Sequence, residues 1–228
     1  MHWFKFKDNY SVDYNLLISD LGRRQRAEEQ IEEYEIPYRN ENLIIHTNRY
    51  KPYLREMTVV AKDIRQIDRI NAWLRGRGKL RTSIDEGGFF YASIFSGLDY
   101  EEIARDTQDF RVSFKVDPFF YLDSGQEIIT ITEPIKLINP GTYYAEPTIK
   151  IYGTGNITLN INSDFYEFRN VEDEITIDSN LQVIYRDTLN QSNKFYSKDF
   201  PTFDIGDINI TWEGNVSKIE IMPRWRML

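Results

Sequence analysis

Residues 127–162 read EIITITEPIKLINPGTYYAEPTIKIYGTGNITLNIN, and this stretch decides the fold class. Ile, Leu, Thr and Tyr alternate with polar neighbours in short runs. The runs are interrupted at Pro134, at Asn139-Pro140-Gly141 and at Gly153–Asn156. A period of two between turn-forming residues marks half-buried β-strands, because successive side chains of a strand point to opposite faces. The texture continues through FYEFR (165–169), EITIDS (174–179), LQVIYRD (181–187), INITWEG (208–214) and SKIEIMPRW (217–225). Turn signals every ~8–12 residues, with no helical period, predict an all-β sandwich or jelly roll. Gly153-Thr154-Gly155-Asn156 and Asp178-Ser179-Asn180 are expected to be tight turns between strands.

Upstream the texture changes. HWFKFK (2–7), NLLIS (15–19), NLIIHT (42–47), YLREMTVVAK (53–62), FFYASIF (89–95) and TQDFRVSFKVDPF (107–119) read as strands rich in β-branched and aromatic residues. A helix is expected from Asp63 to about Arg75, with Ile64, Ile67, Ile70 and Leu74 on one face. Asp63 would be its N-cap, Gln66 the partner in a variant capping box, and Gly76 and Gly78 its stop. A second helical turn is expected over Asp99–Ala104. Arg23–Glu35 is dense in charge and poor in apolar residues, which predicts a long hairpin arm or a loop outside the core. The expected class is therefore mainly β: an α+β N-terminal domain with one principal helix, residues 1–125, followed by an all-β sandwich domain, residues 126–228.

Charge divides along the same line. The 228 residues carry 28 Lys and Arg against 36 Asp and Glu, net −8. Residues 1–120 hold 19 basic and 20 acidic side chains, and residues 121–228 hold 9 and 16. Such an acidic balance argues against a dedicated nucleic-acid binder. No run approaches the ~20 apolar residues of a membrane span, and the opening MHWFKFKDNY lacks the apolar stretch of a signal peptide. Zero cysteines exclude disulfides, thiolate metal sites and thiol nucleophiles.

No motif announces catalysis. Arg75-Gly76-Arg77-Gly78-Lys79 invites comparison with a phosphate loop, but its glycines follow a predicted helix instead of preceding one. Glu172-Asp173-Glu174 with Asp178, and Asp204 with Asp207, lack the spacing of a calcium loop. His2 and His46 are read as ordinary strand residues. No metal, cofactor or catalytic set is expected, and a wall hydrolase would rest only on abundant carboxylates. Two groups remain as binding candidates. Arg65, Arg69, Arg75 and Arg77 belong to a basic concentration between residues 62 and 81 suited to a salt-bridged subunit contact. Tyr143, Tyr144 and Trp212 present ring faces on which a sugar could stack.

The order of segments resembles the distal tail protein (Dit) family of long-tailed phages and prophages of Gram-positive bacteria. The carriers are IPYRNENLIIHTNRYKPYLREMTVVAKD (36–63), the helix DIRQIDRINAWLRGRGKLRTSID (63–85), and FFYASIFSGLDYEEIARDTQDFRVSFKVDPFFYL (89–122). The most diagnostic phrase runs from Asn139-Pro140-Gly141 through Ala145-Glu146-Pro147 to Asn162. The resemblance implies a non-enzymatic structural protein of the virion, made in the host cytoplasm and placed at the tail tip. It also implies a ring of six copies, with N-terminal domains forming a belt around a lumen and galectin-like sandwiches pointing outward. The implied partners are the tail tube protein, the tail-associated tip protein and receptor-binding proteins, with DNA passing through the lumen unbound. With no room for an inserted carbohydrate-binding module, the chain would be a short form of that family. The competing expectation is a carbohydrate-binding sandwich that contacts host cell-wall polysaccharide.

Overall fold

The computed structural model describes residues 2–98, 100–104 and 107–228. The chain is mainly β and divides into two compact units, Met1–Phe120 with Leu228, and Tyr121–Met227.

The first unit contains β1 (Phe4–Phe6), β2 (Asn9–Tyr10), β3 (Leu16–Asp20), β4 (Glu29–Tyr34), β5 (Leu43–Tyr50), β6 (Tyr53–Ala61), α1 (Ile67–Trp73), β7 (Gly76–Thr82), β8 (Gly88–Ile94), β9 (Tyr100–Ala104) and most of β10 (Thr107–Leu122). One sheet runs in the order β2-β1-β7-β8-β10-β6-β3, with β9 alongside β10. Alternation along β1 and β10 sends Phe4, Phe6, Val112, Phe114 and Val116 into the core. The helix is fastened there by Trp73, whose ring lies flat between Phe4 (5.4 Å) and Tyr14 (4.5 Å) and whose Nε1 donates to the Phe6 carbonyl at 2.8 Å. A large apolar ring with one satisfied polar atom is an efficient anchor for so short a helix.

Three sequence expectations are corrected in this unit. The α-helix is seven residues long, and Ile64–Gln66 form a 3₁₀ turn before it. The Asp63 carboxylate is spent on the Arg65 amide (3.1 Å) and guanidinium (2.9 Å), so it closes a tight turn, and Gln66 occupies the N-cap without a side-chain capping bond. Gly76 does leave the helix at φ +76°, but Gly76–Thr82 then continue as strand β7, which charge had disguised. Finally, Tyr100–Ala104 is a strand paired with β10, not a helical turn. Asp99, from the same expected turn, lies outside the described residues.

The second unit contains β11 (Ile129–Ile131), β12 (Ile135–Asn139), β13 (Thr148–Ile161), β14 (Asp164–Val171), β15 (Glu174–Asp178), β16 (Val183–Arg186), β17 (Leu189–Asn190), β18 (Gly206–Met222) and β19 (Arg226–Met227). Here the expected turn at Gly153–Asn156 is overturned: β13 runs through it without reversing. Residues 148–152 pair with β15, residues 155–161 pair with β14, and β18 follows β13 along its length with register shifts at Tyr152/Gly153 and Thr154/Thr158. INITWEG and SKIEIMPRW likewise belong to one strand, with Gly214 at φ +106°. A Cβ at Gly153 would meet the Asn215 carbonyl at 2.4 Å, and one at Gly214 would meet the Asn156 carbonyl at 2.4 Å. The glycines therefore mark a β-bulge where two long strands bend together, not a hairpin end. Folding both strands there encloses a single core, with Ile149, Ile151, Ile219 and Ile221 from one half and Ile157, Leu159, Ile161, Ile208 and Ile210 from the other. The turn at 179–182 after β15 is as expected, with Gln182 at positive φ.

Candidate interaction surfaces

β4 and β5 form a two-stranded sheet that no other described strand joins. Their register sets Glu32 opposite Ile45, Glu33 opposite Ile44 and Tyr34 opposite Leu43. Both faces of the hairpin are open, leaving Ile31, Tyr34, Tyr38, Leu43, Ile44 and Ile45 exposed. Residues 28–41 carry six Glu against the single Arg39. Within the chain this charge is only partly answered, by Lys51 on Glu28 (3.2 Å), while the His46 ring lies 3.1 Å from the Glu29 carboxylate. The arm expected at Arg23–Glu35 thus exists as a hairpin that is acidic, apolar and solvent-facing at once. An isolated hairpin is marginally stable in water, and a cluster of exposed aliphatic side chains marks a contact surface.

The root of the arm is rigid. Arg55, 1% exposed, donates from Nε to the Leu21 carbonyl (2.8 Å) and from a terminal nitrogen to the Asp85 carboxylate (2.6 Å). Thr82 donates its hydroxyl to the same carboxylate oxygen at 2.6 Å, and the Arg24 guanidinium lies over the rings of Phe90 and Phe120. A buried guanidinium with a carboxylate, a hydroxyl and a main-chain carbonyl around it holds residues 21–24 against β6 and aims the chain into β4. The phenol of nearby Tyr53 titrates above its ordinary value because burial disfavours the phenolate.

On the outer face of the sheet, alternation along β7 aligns Arg77, Lys79 and Arg81. The β1 register puts Lys5 beside Arg81, and the Lys7 amide donates to the Lys79 carbonyl at 2.9 Å. Aromatic rings lie under the cations: Lys79 is 4.2 Å from the Phe89 centroid, Arg81 5.3 Å from the same ring, and Arg77 5.2 Å from Tyr91. Asp117 pairs with Arg77. The four arginines singled out from sequence separate in the structure. Arg65 is held by Asp63 on the 3₁₀ turn, and Arg69 is exposed on α1. Arg77 belongs to the basic face, while the Arg75 carbonyl accepts from Lys7 Nζ at 2.6 Å. Lys5 was missed because it lies far from β7 in sequence and only the strand pairing brings it there, whereas the Lys7 side chain lies over Gly76 and Gly78, on the other face from Lys79.

In the second unit the Tyr143 and Tyr144 rings lie 4.6 Å apart, and the Arg226 guanidinium sits 5.4 and 4.7 Å from their centroids. Arg226 is itself fixed by the Tyr144 carbonyl (2.7 Å) and Glu146 (2.8 Å). Trp212 lies opposite Leu159 and packs against the sandwich core, so its ring is not offered alongside the tyrosines. The Tyr166 hydroxyl is pushed up to about 12, chiefly by burial and then by the charges of Asp164, Asp199 and Asp204.

The most ordered polar array lies across β16, β15, β13 and β18. One transverse row contains Tyr185, Thr176, Lys150 and Glu220, and the next contains Glu174, Tyr152 and Lys218. Lys150 pairs with Glu174 (2.8 Å), Lys218 with Glu220 (2.6 Å), and the Tyr152 hydroxyl donates to Glu220 (2.9 Å). These bonds raise the Lys150 and Lys218 ammonium groups and hold the Glu220 carboxyl below its ordinary range. Arg224 grips Asp178 through both carboxylate oxygens, at 2.8 and 2.7 Å. Burial would raise Asp178, but the guanidinium and the Leu181 amide outweigh it and the net direction is down. No group of three or more His, Cys, Asp or Glu among the described residues could hold a metal ion. No helix among them is long and apolar enough to cross a membrane.

No protein-family model matches the chain, and no curated protein does. Among solved structures it is similar to the Dit protein of phage SPP1, described as a paradigm of the hub adsorption apparatus in phages that infect Gram-positive bacteria. The similarity covers 97% of this chain and 98% of that one, with a TM-score of 0.77 at 11% sequence identity. The chain therefore has, over nearly its whole length, the fold of a phage distal tail protein.

Proposed function

We propose that the protein is a structural component of a long non-contractile phage tail, a distal tail protein that assembles as a hexameric ring. In this reading residues 1–125 form the ring and residues 126–228 form a peripheral sandwich. The ring joins the tail tube protein to the tail-associated tip protein, with receptor-binding proteins attached beyond, and DNA passes through its lumen. The SPP1 Dit fold supports the assignment, and the observation that carries the assembly is the unpartnered hairpin of β4 and β5.

A closed ring requires two unlike surfaces of one chain to be complementary, since each copy uses a different face toward each neighbour. The first unit has such a pair. Its hairpin is acidic with exposed Ile and Tyr; its β1–β7 face is basic with rings beneath the cations. Docking the hairpin of one copy on the β1–β7 face of the next would bury the aliphatic side chains and neutralise both charge sets. It would also keep Lys79 and Arg81 away from the lumen, where a basic lining would retard DNA. The decisive experiment is the solution mass by light scattering, followed by negative-stain imaging. Six copies in a ring with an open centre are expected; a strict monomer at micromolar concentration, alone and with tube and tip proteins, overturns the reading.

A further inference from the structure

We infer that the outer face of the second unit's sheet, at Thr176, carries a binding site for one uncharged pyranose ring. The site is a cleft of about 230 Å³ lined by Ile128, Thr148, Lys150, Glu174, Thr176, Tyr185, Asp187, Glu220 and Met222. Thr176 lies near its floor at 6% exposure, and no protein group bonds its hydroxyl. Its neighbours along the register are Tyr185 on one side and Lys150 on the other.

The chemistry of the lining selects the ligand class. A sugar ring has an apolar face of C–H groups and an edge of hydroxyls that both donate and accept. Ile128, Met222 and the Tyr185 ring supply the apolar side, and Ile128 is 61% exposed with nothing over it. The polar side alternates an ammonium and two carboxylates, each paired with a neighbour in the sheet, with the threonine hydroxyl among them. Such preorganisation means little ordering is required on binding.

The charges argue against an anionic ligand. Lys150, Lys218 and Arg224 are already committed to Glu174, Glu220 and Asp178, so no free cation awaits a phosphate or carboxylate. Asp187, also in the lining, adds a charge that repels an anion, and the amine arm of the test below decides against a cation. The volume falls below the ~300 Å³ at which drug-sized pockets begin, which suits one ring and not a long oligosaccharide. This site is separate from Tyr143, Tyr144 and Trp212, which do not line it. It does not depend on the ring proposal, because binding is measured within one copy.

The test is saturation-transfer NMR on the full chain with methyl β-glucoside, N-acetylglucosamine, glucosamine and glucose 6-phosphate at millimolar concentration. Amide shifts of the labelled protein then locate any contact. The expected result is saturation of ring C–H protons for the two neutral sugars, with amide shifts grouped at 148–150, 174–176 and 185. Glucose 6-phosphate should bind less. Tyr185→Ala should weaken binding about tenfold by removing the stacking face. Thr176→Val, which keeps shape and loses the hydroxyl, should weaken it several-fold with an unchanged amide spectrum elsewhere. No saturation with either neutral sugar, shifts grouped elsewhere, or binding only of the phosphate or the amine would overturn the inference.

Discussion

Arg55 shows how a single side chain can decide where a whole element points. Among the described residues it is the largest of the fully buried side chains, and its charge is tolerable because Asp85, 2.6 Å away, neutralises it and the Leu21 carbonyl accepts from its Nε. Removing one member of a buried ion pair costs about 3–5 kcal/mol, since the survivor keeps its desolvation penalty and loses its compensation. Asp85→Ala is expected to lower the melting temperature of the first unit by roughly 10 °C or more and to expose the chain near Leu21 to proteolysis. Calorimetry with limited proteolysis checks this. A loss under about 1 kcal/mol would show that the hairpin root is held by packing alone, as for a surface pair. None of this was legible in the sequence, where Arg55 is one of three charged residues in or beside an alternating strand and its partner is 30 positions away.

At the scale of the element, the hairpin of β4 and β5 is the least self-sufficient part of the molecule, and its charge makes its proposed role testable. Glu32→Lys with Glu33→Lys should leave the fold intact, because both positions are exposed, but should reverse the attraction to the β1–β7 face. If the native chain forms the proposed ring, the variant is expected to run as a monomer, and adding Lys79→Glu with Arg81→Glu should restore part of the ring population. Sizing with light scattering reads both outcomes; a variant ring of unchanged mass would remove the hairpin from the interface. Charge density made this arm readable in the sequence, and strand alternation made most strands so. It failed where glycine and charge carried two meanings. Gly76 does end the helix, but with Gly78 it also opens strand β7; Gly153 and Gly155 read as a hairpin, and they are a bulge in a strand of 14 residues. In each case the local residue preference was correct and the pairing partner, distant in sequence, decided the outcome. The binding candidates failed for the same reason. Lys5 and Lys7 meet β7 only through sheet order, and the row of Tyr185, Thr176, Lys150 and Glu220 is assembled from four strands.

At the scale of the whole molecule, the separation of charge constrains how copies can be arranged. Residues 1–120 are close to neutral overall yet divide into an acidic arm and a basic face, whereas residues 121–228 carry 16 acidic against 9 basic side chains. Like-charged sandwiches repel, so an assembly built through the first unit gains by keeping the second units apart. In the proposed ring the same reasoning bears on the lumen. If hairpins cover the β1–β7 faces, the cations are consumed between copies and the remaining inner surface is neutral or acidic. Binding to duplex DNA depends on phosphate neutralisation and counterion release, so it should then be absent at about 0.15 M salt, and lowering the salt should restore little of it. Electrophoretic mobility of duplex DNA with assembled rings is the measurement. Retention that falls steeply with salt, and that disappears in Arg65→Glu or Arg75→Glu rings, would place those arginines on the channel wall and leave the hairpin to engage another surface.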